Sequence, residues 1–576
     1  MKKLIGLAVL LGAASAWAQP VLRATDPVVN GASYSNQLAP GSVFVAFGTN
    51  LAGSAISVAP APSYPTTLAG VSVKFTPAAG GAAIDARMVY TTQNQISGVL
   101  PSSAAAGSYN VTVTYNSQTS APGKATVVAR NYGIVSADSS GAGQAQATTP
   151  GYALNRFAKG TLGTYQTTPA SPGDTLVFWG TGLGADPASD TGGSGGDQRA
   201  AADVHALVSG KEAVVLYAGR SSGYPGLDQV NVTLPADTPL DCFVAVQLKA
   251  GGVSSNTVTV AVASPGQDVC QSGNFTAAQL RSLSSGGTLT LGSFTLSKSA
   301  TSMSAMGLTL DQSTEAITGD FAKYGLGNVS SYGSTANVSV NTVGSCTVVR
   351  VTGTTDAILY SAPPATLLDA GASLRLAGPN NVNISIPRGP TTTNTTKNYY
   401  SYTQSVISGL PISIPGLGGG TSFISAGTFT LSGTGGADVG SFSTSLDVPQ
   451  PVVWTNRDSI TTVPRGQNLN ITWTGGGSND LYIVGASGNQ AGGTQTNPVY
   501  DMTTFVCLTK ANLLNFSVPS AVLSQLPATS GNGVGLLALQ LNGKATFTAP
   551  LTAGGNIDSG VFLFSTGASK VPLTYQ

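Results

Sequence analysis

The chain has 576 residues, only 9% of them charged, with 25 Lys and Arg against 24 Asp and Glu; an average soluble domain is about 25% charged. With no basic excess to neutralise phosphates, nucleic acid is excluded as a partner, and a 41% hydrophobic content excludes disorder driven by charge. Glycine is abundant (73 residues), and the 24 acids are 22 Asp with only Glu212 and Glu315. A chain that avoids a good surface helix former and keeps a turn-forming acid reads as β-rich and turn-rich.

Lys2 and Lys3, an apolar run over 4–11, and small residues at Ala16 and Ala18 read as a secretory signal peptide over 1–18, cleaved before Gln19. The run is too short to cross about 30 Å of hydrocarbon. No later stretch reads as a membrane span, so the mature chain is expected outside the cytoplasm, secreted or at the cell surface.

Two diverged copies of one module follow, over 19–130 and 131–266. The first carries Pro40-Gly41 and, five residues later, Phe47-Gly48-Thr49-Asn50-Leu51; the second carries Pro172-Gly173 and Trp179-Gly180-Thr181-Gly182-Leu183 at the same offset. Gln95-Ile96 and Gln229-Val230 each lead to a Leu-Pro pair, and Val89-Tyr90 and Leu216-Tyr217 precede them. Pro-Gly predicts a turn. The β-branched and aromatic runs over 42–47 and 174–179 predict strands. Gly-Thr-(Asn/Gly)-Leu predicts a break at positive φ. Short strands between Gly and Pro turns predict a β-sandwich, with Phe47 and Trp179 expected in its core.

The stretch APGSVFVAFGTNLA (39–52) and the Gln-(Ile/Val)-x3-Leu-Pro blocks resemble IPT/TIG-like immunoglobulin-fold modules of bacterial surface proteins. They look more closely like the Solibacter-type, acidobacterial family of uncharacterised secreted proteins. Cys242-Phe-Val-Ala-Val, Ser255-Asn256, Val258-Thr259-Val260 and Cys270 close the second copy in that family's manner. The resemblance covers 27–266. It implies an immunoglobulin-like fold and a surface location, and it supplies no catalytic residue.

The second copy also holds the thin chemistry of the chain. Gly192-Gly-Ser194-Gly-Gly196 fits G-x-S-x-G, with His205, Asp197 and Asp203 nearby. A nucleophile elbow needs a strand, a helix and an α/β sheet around the serine, and this is a Gly/Asp/Ser loop, so a flexible insert is expected. Asp186, Asp190 and Asp197 lack the tight alternation of a calcium loop and read as solvated turn acids. Glu212 and Glu315 fall in different modules, so no acid pair for glycoside hydrolysis stands out. No catalytic, metal or cofactor residue is assigned.

Cys242, Cys270, Cys346 and Cys507 are widely spaced and suit two disulfides in an oxidising compartment. Three pairings are open; Cys242–Cys270 with Cys346–Cys507 is favoured, because the first closes a local loop at the end of a module.

Residues 267–450 read as a β-rich domain opened by one short helix, signalled by the capping box Thr276-x-x-Gln279 and stopped by Gly286-Gly287. A polar tract over 389–397 reads as a loop. Tyr399, Tyr400 and Tyr402 follow it as the candidate ligand-contacting residues, since aromatic rings with a polar edge stack on sugars or anchor proteins. Residues 451–576 read as a further immunoglobulin-like domain with Trp473 on a buried strand.

The fold class is therefore all-β: tandem immunoglobulin-like β-sandwiches with short helices in the C-terminal half. The function expected is adhesion or scaffold-like binding of glycans or other surface proteins, without catalysis. The alternatives are an extracellular enzyme acting on polysaccharide or protein, and a structural envelope or filament component.

Overall fold

A computed structural model describes residues 19–193, 195–305, 308–329, 343–344, 346–354, 366–391, 396–408, 422–494, 497–531 and 533–576. The signal peptide at 1–18, Ser194 and part of the polar tract (392–395) lie outside them. The protein is all-β, with two β-sandwich copies followed by a β-rich C-terminal half and with short helices.

In the first copy, Val43–Thr49 pairs with Gln95–Val99 and Val28–Asn30. Across the sandwich, Gly107–Tyr115 lies between Val71–Pro77 and Gly123–Val127. Period-two alternation sends Val71, Val73 and Phe75 inward, while Ser72 and Lys74 point out. Phe44 and Phe75 meet edge to face at 5.2 Å in the core. Burial of each such side chain contributes roughly 1.5–3 kcal/mol.

The second copy repeats the central pairing, with Thr175–Thr181 between Asp228–Thr233 and the short strand Ala147–Thr148, and its strands join in one twelve-stranded sheet through the long strand Lys211–Arg220. Both Pro-Gly turns carry a left-handed glycine, Gly41 at φ 73° and Gly173 at φ 89°. The Gly-Thr-x-Leu breaks do the same at Asn50 (φ 56°) and Gly182 (φ 112°). Phe47 and Trp179 depart from expectation. Phe44 and Ala46, and likewise Leu176 and Phe178, take the inward positions. Alternation therefore turns Phe47 and Trp179 to the outer face, where both are only part-buried.

In the C-terminal half the expected boundary falls at 450. Among the described residues, one nine-stranded sheet draws strands from both sides of it. Leu289–Ala305 pairs with Leu308–Tyr324 and, in parallel, with Ser559–Lys570. Cys346–Thr354 pairs with Asn497–Lys510. One hydrophobic core runs from Phe294 through Phe429 and Trp473 to Tyr575. Local turn signals at Pro449 and Pro451 mark a loop inside this unit, and the parallel pairing across it joins strands far apart in sequence.

The helix Ala277–Ser284 forms with both halves of its capping box in place. Leu280 and Leu283 pack with Phe157 of the second copy and with Leu291 and Leu563 of the large sheet. The helix thus fills the seam where the second copy meets the C-terminal half. Among the described residues, no helix is long and apolar enough to cross a membrane.

Candidate functional site

The tyrosine cluster is not an open ligand platform. Tyr400 is fully buried; its hydroxyl accepts from the Ala370 N–H (3.0 Å) and donates to the Gly371 carbonyl (2.8 Å). Tyr402 lies on the same face of the strand, against the core, with its ring edge to face with Phe423 at 5.8 Å. Tyr399 immediately precedes the strand Tyr400–Ser408 and is also part-buried. Tyr400 and Tyr402 are two residues apart, so the pleat turns both inward together.

His205, the chain's only histidine, sits on Val204–Val208 beside the hairpin strand Lys211–Arg220. Its Nδ1 meets Glu212 Oε1 at 2.7 Å and its Nε2 meets Asp203 Oδ1 at 3.1 Å. With a carboxylate at each nitrogen, only the imidazolium donates to both. Glu212 first, then Asp203, therefore raise its pKa above the usual histidine value. This is an ion-paired surface histidine, 47% exposed.

The three aspartates weighed as a calcium loop face different partners. Asp197 pairs with Arg199 at 2.7 Å. Asp186 accepts from Gln198 Nε2 at 3.0 Å. Asp190 reaches across to the first copy, where the Ser102 N–H (2.9 Å) and hydroxyl (2.7 Å) donate to its two oxygens.

Asp190 belongs to a built junction between the copies. Ser102 Oγ accepts from the Asp186 N–H at 2.9 Å. The Val43 N–H donates to Thr181 Oγ1 (2.8 Å), which donates on to the Gly226 carbonyl. Asn30 Nδ2 donates to the Asn131 carbonyl at 2.9 Å. Behind this seam, Arg220 and Asp228 form a buried ion pair at 2.6 Å, and Asp228 also accepts from the Gly182 and Leu183 N–H groups. A Cβ on Gly41 would crowd the Arg220 guanidinium and the Ser102 hydroxyl, so the first Pro-Gly turn is itself part of the seam. Sequence reading missed this junction; Ser102 and Asp190 sit in loops with no periodic signal, 88 residues apart.

Glu315 is also structural. Fully buried, it accepts from Lys298 Nζ (2.7 Å), the Ser422 hydroxyl, and the Phe423 (2.7 Å) and Ile424 (3.0 Å) N–H groups. Burial opposes its charge, but the donors from Lys298, Ser422, Ile424 and Phe423 prevail and hold its pKa below the usual value. Asp320 on the same strand is the opposite case: burial pushes its pKa up to about 7, against a hydrogen bond from Tyr324.

Cys242 is bonded to Cys270, and Cys346 to Cys507. The second pair lies directly opposite in adjacent strands, with Cα atoms 4.0 Å apart. The first lies in the apolar seam around the helix.

No protein-family model and no curated protein matches the chain. Among solved structures it is similar to the Sidekick-1 immunoglobulin domains 1–4, at 10% identity over 95% of this chain and 98% of that one, TM-score 0.12. It is similar to domains 5–6 of the S-layer protein SbsC at 17% identity over 43% and 99%, TM-score 0.17. It is also similar to Bacteroides ovatus SGBP-B of a mixed-linkage glucan utilization locus, in complex with a mixed-linkage heptasaccharide, at 10% identity over 82% and 95%, TM-score 0.13. Likenesses of this depth carry no information on ligand or activity.

Proposed function

We propose that the protein is exported and acts, secreted or at the cell surface, as an adhesion or scaffold-like binding protein that does not transform its ligand. The junction between the copies carries this reading. Two acids that the sequence singles out make structural contacts, Asp190 with Ser102 across the junction and Glu315 with Lys298 and the 422–424 backbone, and Asp228 behind the junction is buried against Arg220. A carboxylate saturated by donors and fixed in a seam is poorly placed to exchange protons with a substrate. Rigid sandwiches that present loops and sheet faces are suited to contact. Two disulfides fit an oxidising compartment, and the resemblance of 27–266 to the Solibacter-type secreted family points to the same location.

Fractionation of producing cells, with thiol counting on the recovered protein, tests the location. The expected result is protein in the envelope fraction or medium with no free thiol. Reduced protein in the cytoplasm would overturn the reading.

A further inference from the structure

The repeat extends to a set of outward-facing side chains that the sandwich core does not need. In the first copy Phe47 pairs in register with Gln95, and Tyr90 with Ser97, just past a β-bulge after Met88. In the second copy Trp179 pairs with Gln229, and Tyr217 with Asn231, just past the matching bulge after Val215. An aromatic ring, a tyrosine and a glutamine thus recur at equivalent outer positions of two diverged modules.

The two faces differ in one respect. In the first copy the Arg23 guanidinium sits 4.5 Å over the Phe47 ring, Tyr34 stands 6.2 Å from it, and the Gln95 amide donates to the Tyr90 hydroxyl. That face is closed by its own chain. In the second copy, among the described residues, no cation or ring covers Trp179 or Tyr217. The indole N–H donates sideways to Thr148 (3.2 Å), the Tyr217 hydroxyl donates at its tip to the Gly196 carbonyl (3.3 Å), and Gln229 Nε2 donates to Asn231 Oδ1 (2.9 Å). This leaves the Gln229 carbonyl and the Asn231 NH2 as an acceptor and a donor side by side between the two rings.

We infer that this outer face of the second copy binds a neutral polysaccharide. The inference rests on the surface-binding reading above and names its ligand class. Aromatic faces are electron-rich and attract the C–H faces of sugar rings, whereas the adjacent acceptor and donor match neighbouring hydroxyls. The surroundings favour an uncharged ligand. Asp228 is buried beneath with Arg220, Asp197 is paired with Arg199, and Arg156 is buried against the Ala145 and Asn155 carbonyls and Gln146. The strands of Trp179 and Tyr217 flank one intervening strand, on which their partners Gln229 and Asn231 are two residues apart, so the two backbone positions stand about 12 Å apart on one face, suited to a run of linked sugars.

Affinity electrophoresis of the mature chain in gels containing hydroxyethylcellulose, galactomannan or glycogen, with polygalacturonate as the charged comparison, tests the inference. At least one neutral polymer should retard the protein. Trp179→Ala and Tyr217→Ala should each weaken that binding about tenfold or more, and Phe47→Ala, on the closed face, should leave it unchanged. The double change Gln229→Ala/Asn231→Ala keeps both rings and should also weaken binding, which separates recognition from misfolding. The inference is overturned if no neutral polymer retards the wild type, if only polygalacturonate does, or if folded variants bind as well as the wild type. Wild-type protein that adheres to isolated envelopes while ignoring every neutral polymer overturns the ligand class and leaves the surface-binding reading standing.

Discussion

Ser102 donates both its backbone N–H and its hydroxyl to the two carboxylate oxygens of Asp190, joining the first copy to the second at 2.9 and 2.7 Å. This bidentate contact, with Val43–Thr181 and Asn30–Asn131 beside it, makes the two copies one body. Hydrogen bonds to a charged group contribute about 1.5–3 kcal/mol each. Asp190→Ala is expected to loosen the junction while each sandwich stays folded. Spin-label distances between the copies should broaden in the variant and stay narrow in the wild type.

The buried pair Arg220–Asp228 lies behind the same seam. Arg220→Ala leaves the Asp228 carboxylate buried without its cation, a change that costs about 3–5 kcal/mol. Denaturant unfolding of the isolated variant should show the loss. The conservative Arg220→Lys should recover only part of it, since an ammonium lacks the planar fork.

Much of the tandem sandwich was legible in the sequence, because its signals are local. Pro-Gly turns, the positive-φ Asn50 and Gly182, and the Thr276 capping box each depend on a few adjacent residues. The Trp473 strand was legible for the same reason; its ring is buried and its indole N–H donates to the Ala511 carbonyl. Face assignment was harder. Phe47 and Trp179 end runs in which nearly every residue is apolar, so period two is hidden and the inward phase is set by Phe44 and Phe178. Tyr400 looked available because a polar tract precedes it, yet its hydroxyl closes on the distant Ala370 and Gly371. The single C-terminal unit was out of reach, since the pairing of Leu289–Ala305 with Ser559–Lys570 spans most of the chain's second half.

Glu315 and Asp320 predict opposite responses to acid. The folded pKa of Glu315 lies below its ordinary value, so its contribution is present above about pH 4.3 and lost as the pH falls through the folded value. Asp320 has a folded pKa of about 7, above the ordinary 3.9 or so, and the folded state therefore holds the extra proton. Its contribution is present below about pH 4 and is lost as the pH rises to about 7, on the order of 4 kcal/mol at most. Asp320→Asn should flatten the stability profile between pH 4 and 7, read by thermal unfolding, whereas Glu315→Gln should lower stability most at neutral pH.

His205 gives a single histidine signal in NMR. Its midpoint should lie above about 6.5 and fall toward that value in Glu212→Gln. Its stabilising contribution is complete below the unfolded value and lost as the pH rises through the folded one. An exposed pair of this kind contributes at most about 1 kcal/mol, so the NMR midpoint should shift clearly while the unfolding midpoint barely moves.

The central claim is that the protein binds a surface and leaves it intact. It is tested most directly by cosedimenting the purified mature chain with isolated cell envelopes and assaying the supernatant for released sugar or peptide. Saturable sedimentation of the protein with no release over time is the expected result. Protein that stays in the supernatant, or a supernatant that accumulates reducing ends or peptides in proportion to the protein added, would contradict it.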